Sequence, residues 1–218
     1  MKGNSDMELM EKENAMDGKK IKDAKAEELS SKIQKGLQAE NPLNVVFLSR
    51  ICPQKNLMGA IQCLKKIGFK VDFTIYGPEE DNGYWHKCEN ELKKLPKNIR
   101  WTYKGDVPSE KVQQILQLYD VFLLPTRSEN YGHVIFEALS VGCIPVISDQ
   151  TPWNVIDERK AGYILPLTES MNEFTDSLKA LHDMTQKQRD EMADRAVQIA
   201  KEKVDQAKKD TGYRKIFG

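Results

Sequence analysis

The sequence predicts an α/β fold: a Rossmann-like parallel sheet of about six strands flanked by helices, with a helical C-terminal tail. Three observations carry this. Short continuous apolar runs begin at Val45 and recur along the chain, as strands buried on both faces require. Each run ends in a polar or glycine-containing turn and is followed by apolar residues at helical spacing. Beyond Thr168 the pattern is helical without a further strand. Strands alternating with helices of about 10–15 residues imply βαβ units with right-handed crossovers.

The elements follow in order. Residues 1–40 are rich in Lys, Glu, Asp, Met and Ala, have no aromatic, and read as a polar connector that cannot bury a core alone. Within it, Leu29, Ile33 and Leu37 give a weak helical spacing over Ala24–Leu37. The domain proper is expected over 41–168, with helices of 169–218 packing on it. Val45-Val46-Phe47-Leu48 is the first strand. After the polar loop Ser49–Asn56 comes a helix carrying Leu57, Ala60, Ile61, Leu64 and Ile67, with Asn56 as N-cap and Gly68 as its stop. Val71–Tyr76 is the second strand, closed by Gly77-Pro78, and a helix is expected over Gly83–Leu95. Ile99–Tyr103 is the third strand, leading into Gly105. Pro108-Ser109-Glu110 starts a helix with Val112, Ile115, Leu116 and Tyr119 on one face. Val121–Leu124, Ile144–Ile147 and Tyr163–Leu165 complete the strands. Met171–Met184 and Gln186 to about Lys208 are the closing helices.

Composition narrows the function classes. The 218 residues suffice for one good core plus appendages and are too few for two full-sized α/β domains. Lys plus Arg, at 33, equals Asp plus Glu, at 33, so net charge does not point to nucleic acid or an anionic membrane, and any basic site is local. No window approaches the roughly 18 consecutive apolar residues of a membrane span, and the N-terminus lacks a signal-peptide core. The chain reads as soluble and cytoplasmic. Cys52, Cys63, Cys88 and Cys143 are scattered without a C-x-x-C pair and read as reduced, mostly buried thiols.

In open parallel sheets ligands bind beyond the carboxyl ends of the strands, so the informative loops are Ser49–Asn56, Gly77–Glu79, Gly105–Val107 and Thr126–Gly132. The dinucleotide fingerprint and the P-loop are both absent. The first loop offers Arg50 and Lys55, a planar fork and a point charge suited to a pyrophosphate, or simply two solvated surface cations. No aspartate cluster suited to Mg²⁺ accompanies them. A helix starting near Gly132 leaves Glu129 just before it and Glu137 in its first turns. Tyr131-Gly132-His133-Val134 would then present backbone N–H groups to an anion. Carboxylates can hold ribose or hexose hydroxyls, although either glutamate could equally be a helix-end acid.

Taken in order, these residues resemble the C-terminal half of a glycosyltransferase family 4 (group 1) enzyme of GT-B fold over about Asn44–Leu167. The resemblance rests on Phe47-Leu48-Ser49-Arg50 with Pro53-x-Lys55-Asn56, on Ile75-Tyr76-Gly77-Pro78, and on Gly105-x-Val107. It continues through Leu124-Pro125-Thr126-Arg127-Ser128-Glu129-Asn130-Tyr131-Gly132 and Phe136-Glu137-Ala138-Leu139, the latter completing an E-x7-E motif, with Gly142 and Pro145-Val146-Ile147 behind it. Ser148-Asp149-Gln150-Thr151-Pro152-Trp153 is similar to the loop of one subgroup.

The resemblance implies a donor-binding domain for a UDP-, GDP- or ADP-linked sugar, with hexosyl transfer at retained configuration and no cofactor or essential metal. By position it makes Arg50 and Lys55 the diphosphate cations, Glu129 the donor-sugar contact and candidate catalytic residue, and Glu137 the ribose holder. Asn130 and the backbone of Tyr131, Gly132, His133 and Val134 would meet sugar and phosphate, while Gly77-Pro78 and Val107 would lie near the base. His133 is open to two readings, an acid at the helix start or an exposed capping side chain. It further implies that the acceptor-binding domain is missing here, so that the chain alone would bind a donor without transferring it. Any peripheral membrane contact would run through that other domain. A non-catalytic sugar-nucleotide module completed by a partner chain is the alternative, and a GT-B-like epimerase or phosphorylase is a third.

Overall fold

A computed structural model describes residues 41–217; the polar connector and its helical spacing at Ala24–Leu37 lie outside the described residues. Strands β1 (Leu43–Leu48), β2 (Val71–Tyr76), β3 (Ile99–Tyr103), β4 (Val121–Leu124), β5 (Ile144–Ser148) and β6 (Tyr163–Leu165) form one sheet. Its order is β3-β2-β1-β4-β5-β6, and every pairing is parallel. The register aligns Leu43 with Val71 and Leu48 with Tyr76, and Val45 with Val121. Six parallel strands with helices between them are the architecture the apolar runs predict.

The helices are α1 (Leu57–Leu64), α2 (Asn82–Leu92), α3 (Val112–Leu116, entered through a 3-10 turn at Ser109–Lys111), α4 (His133–Ser140), α5 (Val155–Glu158), α6 (Asn172–Asp183) and α7 (Gln186–Phe217). Right-handed crossovers put α1 and α2 on one face of the sheet and α3, α4 and α5 on the other. The contacts agree: α1 touches α2 and α6, while α4 touches α3 and α7. With both faces covered, Val45, Val46, Phe47 and all of Val121–Leu124 are fully buried. Edge strand β3 instead alternates, and its exposed Arg100 pairs with Asp72 of β2. The helices after β6 share this core through Phe174, Leu178, Leu181, Met192, Ala196 and Ile199.

Several boundaries differ from the sequence reading. The first helix ends at Leu64, and Gly68 does not stop it: Lys65, Lys66 and Ile67 continue as turns bonded to Ile61, Cys63 and Leu64. Ile67 is buried from that turn, so its place in the helical spacing reflects burial rather than helix. Helix α2 spans Asn82–Leu92 in place of the expected Gly83–Leu95, with Asp81 accepting from the Tyr84 N–H at its start. Helix α5 is a single turn with Ile156 as its one buried residue, too short to show a period. Helix α7 runs nine residues past Lys208.

All four cysteines are free and buried. Burial pushes the Cys63 thiol up to about 12 and Cys88 up to about 11, and raises Cys143 well above its ordinary value.

One close approach fixes the carboxyl edge. Gly77 sits at φ +132°, its N–H donates to the Gly105 carbonyl at 2.8 Å, and a Cβ there would lie 1.8 Å from the Ser49 carbonyl oxygen. Gly77→Ala is therefore expected to cost more than about 2 kcal/mol, since it adds backbone strain to a backbone clash. Urea unfolding measures this, and a loss within about 0.5 kcal/mol would contradict it.

Candidate active site at the sheet switch point

The strand order reverses between β1 and β4, so the chain leaves β1 toward one face and β4 toward the other. At such a point, beyond the carboxyl ends of the strands, open α/β sheets hold their ligands in a crevice. The loop after β1 and the loop after β4 line it, and they are tied together. Asn56 caps α1 with its side-chain oxygen on the Gly59 N–H, while its side-chain N–H donates to the Pro125 carbonyl at 2.9 Å. The Arg127 N–H donates to the Gln54 carbonyl at 2.8 Å. From β5, the Ser148 hydroxyl donates to the Thr126 carbonyl, and the Glu129 N–H donates to Gln150 O at 3.0 Å.

Across this crevice Lys55 Nζ meets Glu129 Oε2 at 2.5 Å, with side chains only 10% and 15% exposed. Seventy-four residues of chain separate the two. A largely desolvated pair of this kind holds both charged groups in one geometry, and either partner alone would be costly to bury. Arg50 is not held with Lys55. Its guanidinium pairs with Glu80 of the loop after β2 at 2.7 Å, on an open surface. Gly77 lies in that same loop region, where its carbonyl accepts from the Tyr103 hydroxyl and Pro78 O accepts from the Ile51 N–H.

Gly132 is the N-cap of α4, at φ +75°, and has no side chain to cap the helix. A Cβ there would come within 3.2 Å of Glu129 Cγ and 3.0 Å of Trp153 Nε1. Among the described residues, no acceptor meets the N–H groups of Tyr131, Gly132, His133 or Val134. These donors, with the helix dipole behind them, favour negative charge at this end of α4. Tyr131 is exposed, and its ring lies 4.6 Å from that of His133, which is exposed as well. Asn130 is exposed beside them, and Val134 packs against the core.

Glu137 stands one turn beyond His133 and is half-buried. Burial raises its carboxyl above the ordinary value, and the neighbouring His133 partly offsets this. Two further site residues escaped the sequence reading of roles. Glu80, the partner of Arg50, lies thirty residues away along the chain. Trp153 donates its indole N–H to the Tyr131 carbonyl at 2.7 Å. The aromatic after Pro152 was visible in sequence, but nothing in its spacing points across to Tyr131. Among the described residues no three His, Cys, Asp or Glu side chains cluster as metal ligands, and no helix is long and apolar enough to cross a membrane.

Two outcomes follow from these charges. Removing Lys55 leaves the Glu129 carboxylate buried without its cation, so Lys55→Ala should lose about 3 kcal/mol in urea unfolding, while Lys55→Met with Glu129→Gln should recover most of it. Equal losses in the single and double variants would contradict the pairing. For Glu137 the folded value lies above the unfolded one, so the native chain binds more protons between the two and stability falls as pH rises through that interval. Glu137→Gln should raise Tm at pH 7 and lose its advantage below about pH 4, read by thermal denaturation across that range. A lower Tm at pH 7 would contradict this.

Comparison with known proteins fits the geometry. The description Glycosyl transferases group 1 matches residues 30–203. The sulfoquinovosyl transferase of Arabidopsis thaliana is 27% identical over 124 residues, 57% of this chain and 22% of that protein. HepE of Anabaena, solved in complex with UDP, superposes with a TM-score of 0.65 at 20% identity, covering 79% of this chain and 47% of HepE. The catalytic domain of cholesterol-α-glucosyltransferase from Helicobacter pylori gives 0.61 at 18% identity, covering 73% of this chain and 98% of that one. The chain thus spans less than half the length of the Arabidopsis and Anabaena proteins. At these identities the structural likeness speaks for a shared fold, one Rossmann-like half of GT-B architecture. The match over 30–203 takes in most of the sequence, and the chain belongs to the group 1 glycosyl transferases.

Proposed function

We propose that this chain binds a nucleoside diphosphate sugar at the switch-point crevice and forms the donor side of a retaining, metal-independent hexosyltransferase. The observation that carries the reading is the Lys55–Glu129 pair set against the N–H groups without an acceptor at the start of α4. A diphosphate brings two phosphates that want cations and N–H donors, and a sugar brings hydroxyls that want a carboxylate. That crevice offers both, within one pair of loops. HepE, of the same fold, was solved with UDP and with UDP-glucose, which supports this ligand class.

In this reading Lys55 and Arg50 neutralise the diphosphate. Arg50 leaves its exposed pair with Glu80 at small cost, because surface pairs of this kind contribute about 0–1 kcal/mol. The N–H groups of Tyr131–Val134 donate to the phosphate nearest the sugar, and charge growing on the leaving diphosphate during transfer falls on fixed donors. Glu129, drawn from Lys55 as the diphosphate arrives, accepts from the donor sugar, and Asn130 and His133 stand beside it. Glu137 holds the ribose hydroxyls, and Gly77-Pro78 borders the base. The acceptor and its binding surface belong to a further domain, which the lengths of the Arabidopsis and Anabaena relatives leave room for.

A thermal-shift panel of UDP, GDP and ADP tests the reading. A ligand at 100 times its Kd adds about 2.7 kcal/mol, or roughly 5–10 °C for a domain of this size. Arg50→Ala should weaken diphosphates more than monophosphates, by about 1.5–3 kcal/mol for one charged hydrogen bond, and Glu137→Ala should weaken ribose-containing ligands. A folded chain that responds to none of the three nucleotides would sink the proposal.

A further inference from the structure

Trp153 is 2% exposed, yet it carries a polar N–H, and that N–H is spent on one atom of the site. The Tyr131 carbonyl and the Gly132 N–H belong to the same planar trans peptide and point in opposite directions. Holding the Tyr131 oxygen at 2.7 Å from the indole nitrogen therefore aims the Gly132 N–H away from Trp153, on the side opposite the bond. Gly132 sits at φ +75°, which favours glycine, and a Cβ there would also crowd Ile135 Cδ1 at 2.7 Å and the indole nitrogen at 3.0 Å. Edge-to-face contact between the Trp153 and Tyr131 rings, with centroids 6.4 Å apart, restrains the same residue a second time.

The other partner of the Trp153 ring comes from the end of the chain. Lys203 of α7 places Nζ 4.7 Å from the ring centroid, in the range of a cation–π contact. Arg159, the C-cap of the short α5 that follows Trp153, pairs with Glu202, the neighbour of Lys203 on α7. The loop after β5 is thus gripped by α7 on one side and grips the start of α4 on the other.

We propose that Trp153 is a positioning residue for the anion-facing turn at Tyr131–Val134, and that Lys203 relays the placement of α7 to that turn through the indole ring. The assignment rests on the donor-site reading above. Trp153 itself touches no ligand. It acts by fixing one peptide plane, so its contribution lies in the orientation of the Gly132 N–H rather than in charge. A buried indole N–H needs some acceptor, and here the acceptor is an atom of the site; a phenylalanine would bury a ring in the same place with no N–H to place.

Trp153→Phe separates the two roles, because it keeps an aromatic ring and deletes the N–H. Titration of the full chain with UDP, GDP and ADP should show affinity for the bound nucleotide falling roughly two- to tenfold, the range of one neutral hydrogen bond. In amide NMR the Gly132 N–H should move and lose order while amides of β1 and β4 stay in place. Of the three tryptophan indole signals, the one that this substitution removes should shift in the unsubstituted chain when nucleotide is added. Lys203→Gln should give a smaller loss of affinity and Lys203→Arg should restore it. That pair leaves the core untouched and carries the test if Trp153→Phe fails to fold. Unchanged affinity with an unchanged Gly132 amide in Trp153→Phe, or in Lys203→Gln where that variant carries the test, overturns the assignment while leaving the donor reading standing. An unsubstituted chain that binds none of the three nucleotides overturns both.

Discussion

Between β1 and β4 the chain has to leave the sheet in two opposite directions, and most of what matters in this protein follows from that divergence. A parallel sheet covered on both faces needs crossovers on both sides, and the strand order β3-β2-β1-β4-β5-β6 places the reversal at its centre. The loops on either side of the reversal bring backbone donors and acceptors to the carboxyl edge, and these need partners. They meet through polar groups: Asn56 to Pro125, Arg127 to Gln54, and Lys55 to Glu129. The fold thus creates both the gap and the charged lining.

Sequence made the frame legible and the pairings much less so. Val45–Leu48 and Val121–Leu124 are uninterrupted apolar runs because β1 and β4 are buried on both faces, and such runs can be read without any knowledge of the neighbours. Asn56 could be placed as a cap from local chemistry alone. What local chemistry cannot supply is which distant group each side chain meets. Arg50 and Lys55 look equivalent in sequence, yet one is buried against Glu129 and the other stands in solvent against Glu80. The single turn of α5 is shorter than any period, and Ile67 kept a helical spacing after the helix itself had ended.

The candidate site is also where the structure gives up stability. Gly132 leaves α4 without a side-chain cap, and half-buried Glu137 would be more comfortable neutral. An N-cap such as Asp would contribute a few tenths of a kcal/mol more than glycine in an ordinary helix, but it would fill the space in front of these N–H groups. The rest of the sheet offsets such losses: β1, β4 and β5 are buried almost throughout, and helices from both ends of the described chain converge on them.

The four buried cysteines have a practical meaning. A thiol reacts as its thiolate, and burial holds Cys63, Cys88 and Cys143 far on the protonated side at neutral pH. Alkylating reagents consequently meet a surface with no exposed thiol among the described residues. A cysteine introduced at an exposed position, such as the tip of the loop at Glu79, would react far faster than the native four, and a fluorescent or spin probe could be seated at the crevice in a single step with the natural thiols left in place.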